Sequence, residues 1–226
     1  MPPRVHGAST VEALIILPLV IWIALAALQL LWIFWAQHTL HNTGHYVLRA
    51  GQVAGGSTTS MTNVLATGMA ATELQWFATD PDDNYQRQAA LQATTKMLLH
   101  AHVAAQITRH SPTTEQTQHY AERRFSLPQH KWVQEIAVDH ALGRTAALTV
   151  EAQQQWLAAR QLDIEIWWCL PLQVPMVAPA LQSWRQWVDD AAQRFCRSRE
   201  LVLGKPLWPL VTRRKGPMLS GFQVDD

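Results

Sequence analysis

The feature that most constrains this chain is an uncharged apolar run near its beginning. Between Ala13 and Leu48 there is no Asp, Glu, Lys or Arg, and from Ala13 to Ala36 the only polar side chain is Gln29. Crossing the hydrocarbon of a bilayer takes about 20 consecutive apolar residues. The run is long enough to cross with some tilt. It is apolar all round, whereas the helix of a soluble core carries one apolar face. The pattern therefore predicts one membrane-spanning helix, with the rest of the chain on one side. Pro18 falls within the span, where neighbouring helices can satisfy the carbonyl it leaves free. Trp32 and Trp35 stand near its C-terminal end, where amphipathic rings settle at the headgroup level. Trp22 lies nearer the middle and suits a partner helix.

The chain has 226 residues and a formal net charge of +1. That length suits one ordinary domain plus an anchor, and nothing in the charge balance points to nucleic acid. The N-terminal flank carries Arg4, His6 and the amino terminus, while the far flank has no Lys or Arg until Arg49. The positive-inside rule then favours an inside N-terminus and an exported bulk. Cys169 and Cys196 are the only cysteines. An even pair suits one disulfide in an oxidising compartment, closing a loop of about 27 residues worth on the order of 3 kcal/mol. Two unrelated buried thiols are the alternative.

Directly before the run stands Gly7-Ala8-Ser9-Thr10-Val11-Glu12. A carboxylate at the mouth of a span is costly unless paired or near water. Ser9 and Glu12 have the spacing of a capping box, and the charge suits the positive end of the helix dipole. The same hexapeptide followed by a long apolar helix resembles the processing site of type IV pilin-like proteins. The resemblance makes Gly7 the last leader residue, Ala8 the new N-terminus and Glu12 the fifth mature residue. It also implies that Glu12 meets the free ammonium of a neighbouring subunit inside the membrane, which offsets the burial cost of both charges.

Within that class the first fifth of the chain is most similar to the TadE-like family, minor pilin-like components of tight-adherence pilus systems. The shared elements are Gly-Ala before Val-Glu, Pro18, and a helix that runs past the membrane into Tyr46-Val47-Leu48-Arg49-Ala50-Gly51. The stretch IEIWWCLPLQVPMVAP around Cys169 is similar to a strand-Cys-Pro segment of longer members, and Cys196 loosely matches their distal cysteine. Ala13 departs from the aromatic that often follows the Glu. The resemblance implies a prepilin peptidase, other pilin or pseudopilin subunits, an inner-membrane assembly platform and the lipid membrane as partners. A rival processing site, Ala24-Leu25-Ala26, satisfies the small-x-small rule of signal peptidase with cleavage before Ala27. Against it, Glu12 interrupts the early part and apolar residues continue to Trp35.

The expected organisation is a leader over 1–7, a transmembrane and assembly helix over 8–54, and an exported α+β domain over 57–226. Within that domain, 57–111 reads as helical, 120–204 as mixed and 205–226 as a solvated tail. The stretch GGSTTS marks a break. Met61–Ala78 has helical spacing with Leu65, Met69 and Trp76 on one side. A turn over Thr79–Asn84 leads into a helix over Tyr85–His110, with Met97, Leu98, Ala101 and Ala105 facing a partner, ended by Ser111-Pro112. Alternation predicts strands at 145–152 and at Leu162–Trp168, with a third over Trp132–Val138 joined to the first around Leu142-Gly143. Pro179–Phe195 is amphipathic, with Leu181, Trp184, Val188, Ala191 and Phe195 on one side. The nearby Trp167, Trp168, Trp184 and Trp187 are expected in the core, although exposed Trp would suit a membrane surface or a partner.

Chemistry finds little footing. His38, His41 and His45 share a helix face and form a weak candidate for zinc or copper. No Cys or carboxylate joins them locally, and three polar aromatics at a membrane exit are more often interfacial. Glu151, Asp163 and Glu165 are explained by solvent-facing alternation. No nucleotide-loop, nucleophile-elbow or metalloprotease motif occurs. The expectation is a non-enzymatic chain without a cofactor: either a pilin-like assembly component, or a bitopic envelope protein with a binding or metal-linked exported domain, not processed as a pilin, whose Gly-Glu pattern is only a helix cap.

Overall fold

In the computed structural model, which describes residues 8–73, 83–126, 130–185, 187–188 and 190–223, the chain is α+β. A 46-residue helix α1, Ala8–Val53, comes first and runs unbroken through Pro18. Helices α2 (Thr58–Met69) and α3 (Asp83–Ala104), strand β1 (Ala105–Ser111) and helix α4 (Thr114–Tyr120) follow. Next come β2 (Ala121–Ser126), β3 (Lys131–Ile136), α5 (Ala141–Thr145), α6 (Val150–Ala159) and β4 (Gln161–Pro171). Helices α7 (Ala178–Arg185) and α8 (Ala191–Leu203) precede β5 (Leu207–Pro217) and β6 (Phe222–Gln223). The strands form two antiparallel sheets, ordered β1-β4-β5 and β2-β3-β6. Contacts divide the chain into two units, one of Met1–Gln37 with Cys169–Pro209, the other of His38–Trp168 with Leu210–Asp226.

In the second unit, Leu162, Ile164, Ile166 and Trp168 of β4 are buried, as their alternation predicts. The intervening Asp163 is also buried, and β1 lies beside β4 with Ala105 opposite Trp168 and Ile107 opposite Ile166. A strand with neighbours on both edges and packing on both faces has few solvated positions. Asp163 accepts two hydrogen bonds from the guanidinium of Arg213, at 2.8 and 2.7 Å, and that pairing holds its carboxyl below the usual range. Met61, Leu65 and Met69 of α2 face the core, opposite Met97, Ala101 and Ala104 of α3. The break after α1 is a turn with Gly55 and Gly56 at positive φ. At Gly56 a Cβ would also lie 2.2 Å from the Phe222 ring, so both backbone and packing require glycine there. Ser57 then caps α2 by accepting from the Ser60 amide.

Several local expectations are corrected. The residues from 105 to 110, expected to end a helix, instead form most of β1, because β4 offers them a ladder partner. The predicted strand at 145–152 is a turn followed by α6, whose start is capped by Thr149. Its Leu148 and Val150 are exposed, while Trp156 and Ala159 supply the buried face. Consequently β3 pairs with β2 and β6, and the residues around Leu142-Gly143 form helix α5. Pro179–Phe195 is two helices, not one, and Trp184 and Trp187 are exposed while Trp168 is buried. The segment after Lys205 is no solvated tail. It supplies β5 and β6, and buries Leu207, Leu210, Met218 and Phe222. Trp76 and most of the Thr79–Asn84 turn lie outside the described residues.

Candidate functional site: the N-terminal helix and its lobe

At 1.5 Å per residue α1 is about 69 Å long, more than twice the thickness of a hydrocarbon core. Among the described residues it is the one helix long and apolar enough to cross a membrane. From Leu14 to Leu28 no residue is buried, and Leu14, Ile15, Leu17 and Leu28 are more than half exposed. An aqueous surface of that size would be heavily penalised at about 25 cal/mol per Å². Among the described residues nothing covers this surface, which is compatible with a membrane anchor.

At Gln29 the pattern changes within a single turn. Its side chain is 1% exposed, and its Oε1 accepts hydrogen bonds from the amides of Gln173 at 3.1 Å and Val174 at 3.0 Å. The lone polar residue of the apolar run thus holds the two backbone N–H groups that follow β4. In low dielectric this pairing matters, because a backbone amide left unpaired costs several kcal/mol; the Nε2 of Gln29 itself is buried and finds no hydrogen-bond partner among the described residues. Ile33 and Ala36, four and seven residues on, continue the buried stripe, while Leu30, Leu31 and Phe34 stay exposed on the other face. The spacing from Gln29 to Ala36 marked this face in the sequence, where only the polarity of Gln29 drew notice.

The partner of that stripe is a small lobe, Cys169–Pro209. Cys169 at the end of β4 and Cys196 in α8 form a disulfide, both fully buried, with Cα atoms 5.4 Å apart. Glu200 of α8 receives Gln182 of α7 at 2.7 Å through one oxygen and the Leu207 amide at 3.0 Å through the other. Asp190 caps α8 by accepting from the Gln193 amide and pairs with Arg185 at 2.7 Å. Gly204, at φ 64°, ends the helix in the left-handed conformation.

Beyond Gln37 the helix is buried in the second unit at Leu40, Thr43, Val47, Leu48 and Gln52. The carbonyl of Gln52 accepts from the amides of Leu219 and Ser220 and from the Ser220 hydroxyl, which satisfies a free acceptor at the helix end. Arg214 donates to the carbonyl of His41 at 2.8 Å. His38 bonds Asn42 through Nδ1, and the rings of His41 and His45 meet edge to face at 6.0 Å. Among the described residues no group of three or more His, Cys, Asp or Glu is placed to hold a metal ion, and an arginine beside His41 disfavours a second cation.

The entrance to the helix is described only in its backbone. Gly7 lies outside the described residues, Ala8 is the first residue of α1, and the side chain of Glu12 lies outside the described ones. Cleavage after Gly7 would leave α1 whole, whereas the Ala24-Leu25-Ala26 site lies inside an uninterrupted helix. In comparison with known proteins, residues 7–45 match the family model described as TadE-like protein. No curated protein and no solved structure matches the chain.

Proposed function

From the TadE-like character of residues 7–45 we propose that the chain is a minor pilin-like, or pseudopilin, component of a tight-adherence pilus system. A prepilin peptidase removes the leader after Gly7, leaving Ala8 as the N-terminus. Helix α1 then anchors the chain in the bacterial inner membrane, with its start on the cytoplasmic side and the domain after it in the periplasm. Its partners are other pilin or pseudopilin subunits, met through the first half of α1, and the inner-membrane assembly platform. The role is assembly, not catalysis.

The observation that carries this reading is where the family match begins, at Gly7, the residue the processing reading needs as the last of the leader. The exposed surface from Leu14 to Leu28 supports it, since a helix meant to join others in a membrane must keep that face free. The test is Gly7→Val expressed beside the wild type. Mass spectrometry of the membrane fraction should find the variant still carrying its leader, and pilus formation that depends on the chain should be lost. A variant trimmed to Ala8 like the wild type would overturn the reading.

A further inference from the structure

We propose that the Cys169–Pro209 lobe is seated in the headgroup region of the bilayer that α1 crosses, with Trp184, Trp187 and Val188 in contact with lipid. The inference needs the anchor alone and is independent of the pilus assignment.

Depth comes first. Gln29 lies about 22 Å along the helix from Leu14 and about 32 Å from Ala8, against about 30 Å of hydrocarbon. Gln29 therefore reaches the far boundary if the hydrocarbon begins at Ala8, and stops about 8 Å short of it if it begins at Leu14. Trp32 and Trp35, whose rings are 5.2 Å apart, follow about 4.5 and 9 Å further along the helix, on the side of Gln29 toward the far headgroups. Because Gln29 holds the amides of Gln173 and Val174, the first residues of the lobe share its depth.

The lobe's surface fits this position. Trp184 and Val188 are 65% and 52% exposed, and Trp187 is 89% exposed. Hydrogen bonds from the Trp187 amide to the Trp184 carbonyl and from the Val188 amide to the Arg185 carbonyl keep the chain coiled past the end of α7. The three side chains, at i, i+3 and i+4, therefore share one face. Two exposed indoles and a valine on one face, at the level where the anchor leaves lipid, match an interfacial helix. Arg194, Arg197 and Lys205 line an open groove of about 760 Å³ between α7 and α8; Glu200 lines it too, with its oxygens taken by Gln182 and the Leu207 amide, so the balance of charge there is positive and suits lipid phosphates.

The full-length chain, reconstituted at one copy per lipid nanodisc, allows a direct test. Emission of the wild type minus that of a Trp184→Phe/Trp187→Phe variant isolates the two exposed indoles. Lipids brominated near the top of the acyl chain should quench this difference emission, and aqueous iodide should not. Quenching by iodide with no effect of the brominated lipid would overturn the proposal. Protection from iodide that develops only with two or more chains per disc would also overturn it, in favour of a second copy. Both replaced residues are exposed, so the variant is expected to fold; an intact Cys169–Cys196 bond on non-reducing gels checks it.

Discussion

Replacing Glu12 with leucine is expected to leave the chain inserted in the membrane and processed, yet to remove it from the proposed complex with other pilin-like subunits. An acidic side chain at the centre of a span opposes insertion by roughly 3 kcal/mol on translocon-derived scales, and by less at its mouth, where Glu12 stands. Leucine in its place makes insertion easier, so loss of assembly in this variant cannot be attributed to a failed anchor. What leucine removes is the carboxylate that would meet the ammonium of a neighbouring Ala8. Glu12→Gln separates charge from polarity, since the amide keeps the shape and hydrogen-bonding capacity but not the ion pair. Both variants should reach the membrane fraction at wild-type level, and co-purification with partner subunits should fall to background for leucine and at least partly for glutamine. Wild-type recovery of partners with Glu12→Leu would mean that the carboxylate serves only as a helix cap.

The second large effect is expected at the disulfide. Cys169 and Cys196 are 27 residues apart in sequence, and the segment between them contains α7 and the start of α8. Removing a native bridge from a small domain costs about 2–5 kcal/mol. Here the cost falls on a lobe with a small core of its own: Leu170, Leu172, Val177, Ala178, Ala192 and Leu207 are buried beside the bridge, but Met176, Trp184, Trp187, Leu201 and Val202 are exposed. Cys169→Ala/Cys196→Ala should therefore open the lobe while β4 keeps its pairing with β1. Limited proteolysis of the membrane-anchored chain should give new cuts between Gln173 and Pro206, with residues 83–168 as resistant as before. Reduction of the wild type should reproduce the pattern. Equal resistance in the oxidised and reduced forms would assign the lobe's stability to its hydrogen bonds, chiefly those of Glu200 and Gln29. Such a bridge would require an oxidising compartment, which the proposed periplasmic placement supplies.

The long apolar helix was legible because nothing interrupts the run, with Gln29 as its sole polar residue. Strand β4 was legible for a different reason, since Leu162, Ile164, Ile166 and Trp168 all face inward and alternation reports such a face. The same alternation misled at 145–152. There Leu148 and Val150 point to solvent, and the Thr149 cap with the Ala- and Gln-rich residues after it decided for helix α6. The last segment was misread through its charges. Arg213 and Arg214 suggest a solvated tail, but one pairs with buried Asp163 and the other reaches the His41 carbonyl. Strand partners so distant in sequence leave no local signature. Clustered tryptophans read as core for want of any sign that Trp184 and Trp187 lie on the outer face of the lobe. Of the site, Gly7, Ala8 and Glu12 were visible as a pattern, and the docking role of Gln29 only through its singular polarity.

Among all these measurements, the most direct is the N-terminal residue of the wild-type chain, read by mass spectrometry of the membrane fraction from cells with and without their prepilin peptidase. The expected result is Ala8 in the first and the full leader in the second. A chain that retains its leader in both, or that begins at Ala27, would contradict processing and leave α1 as an anchor alone.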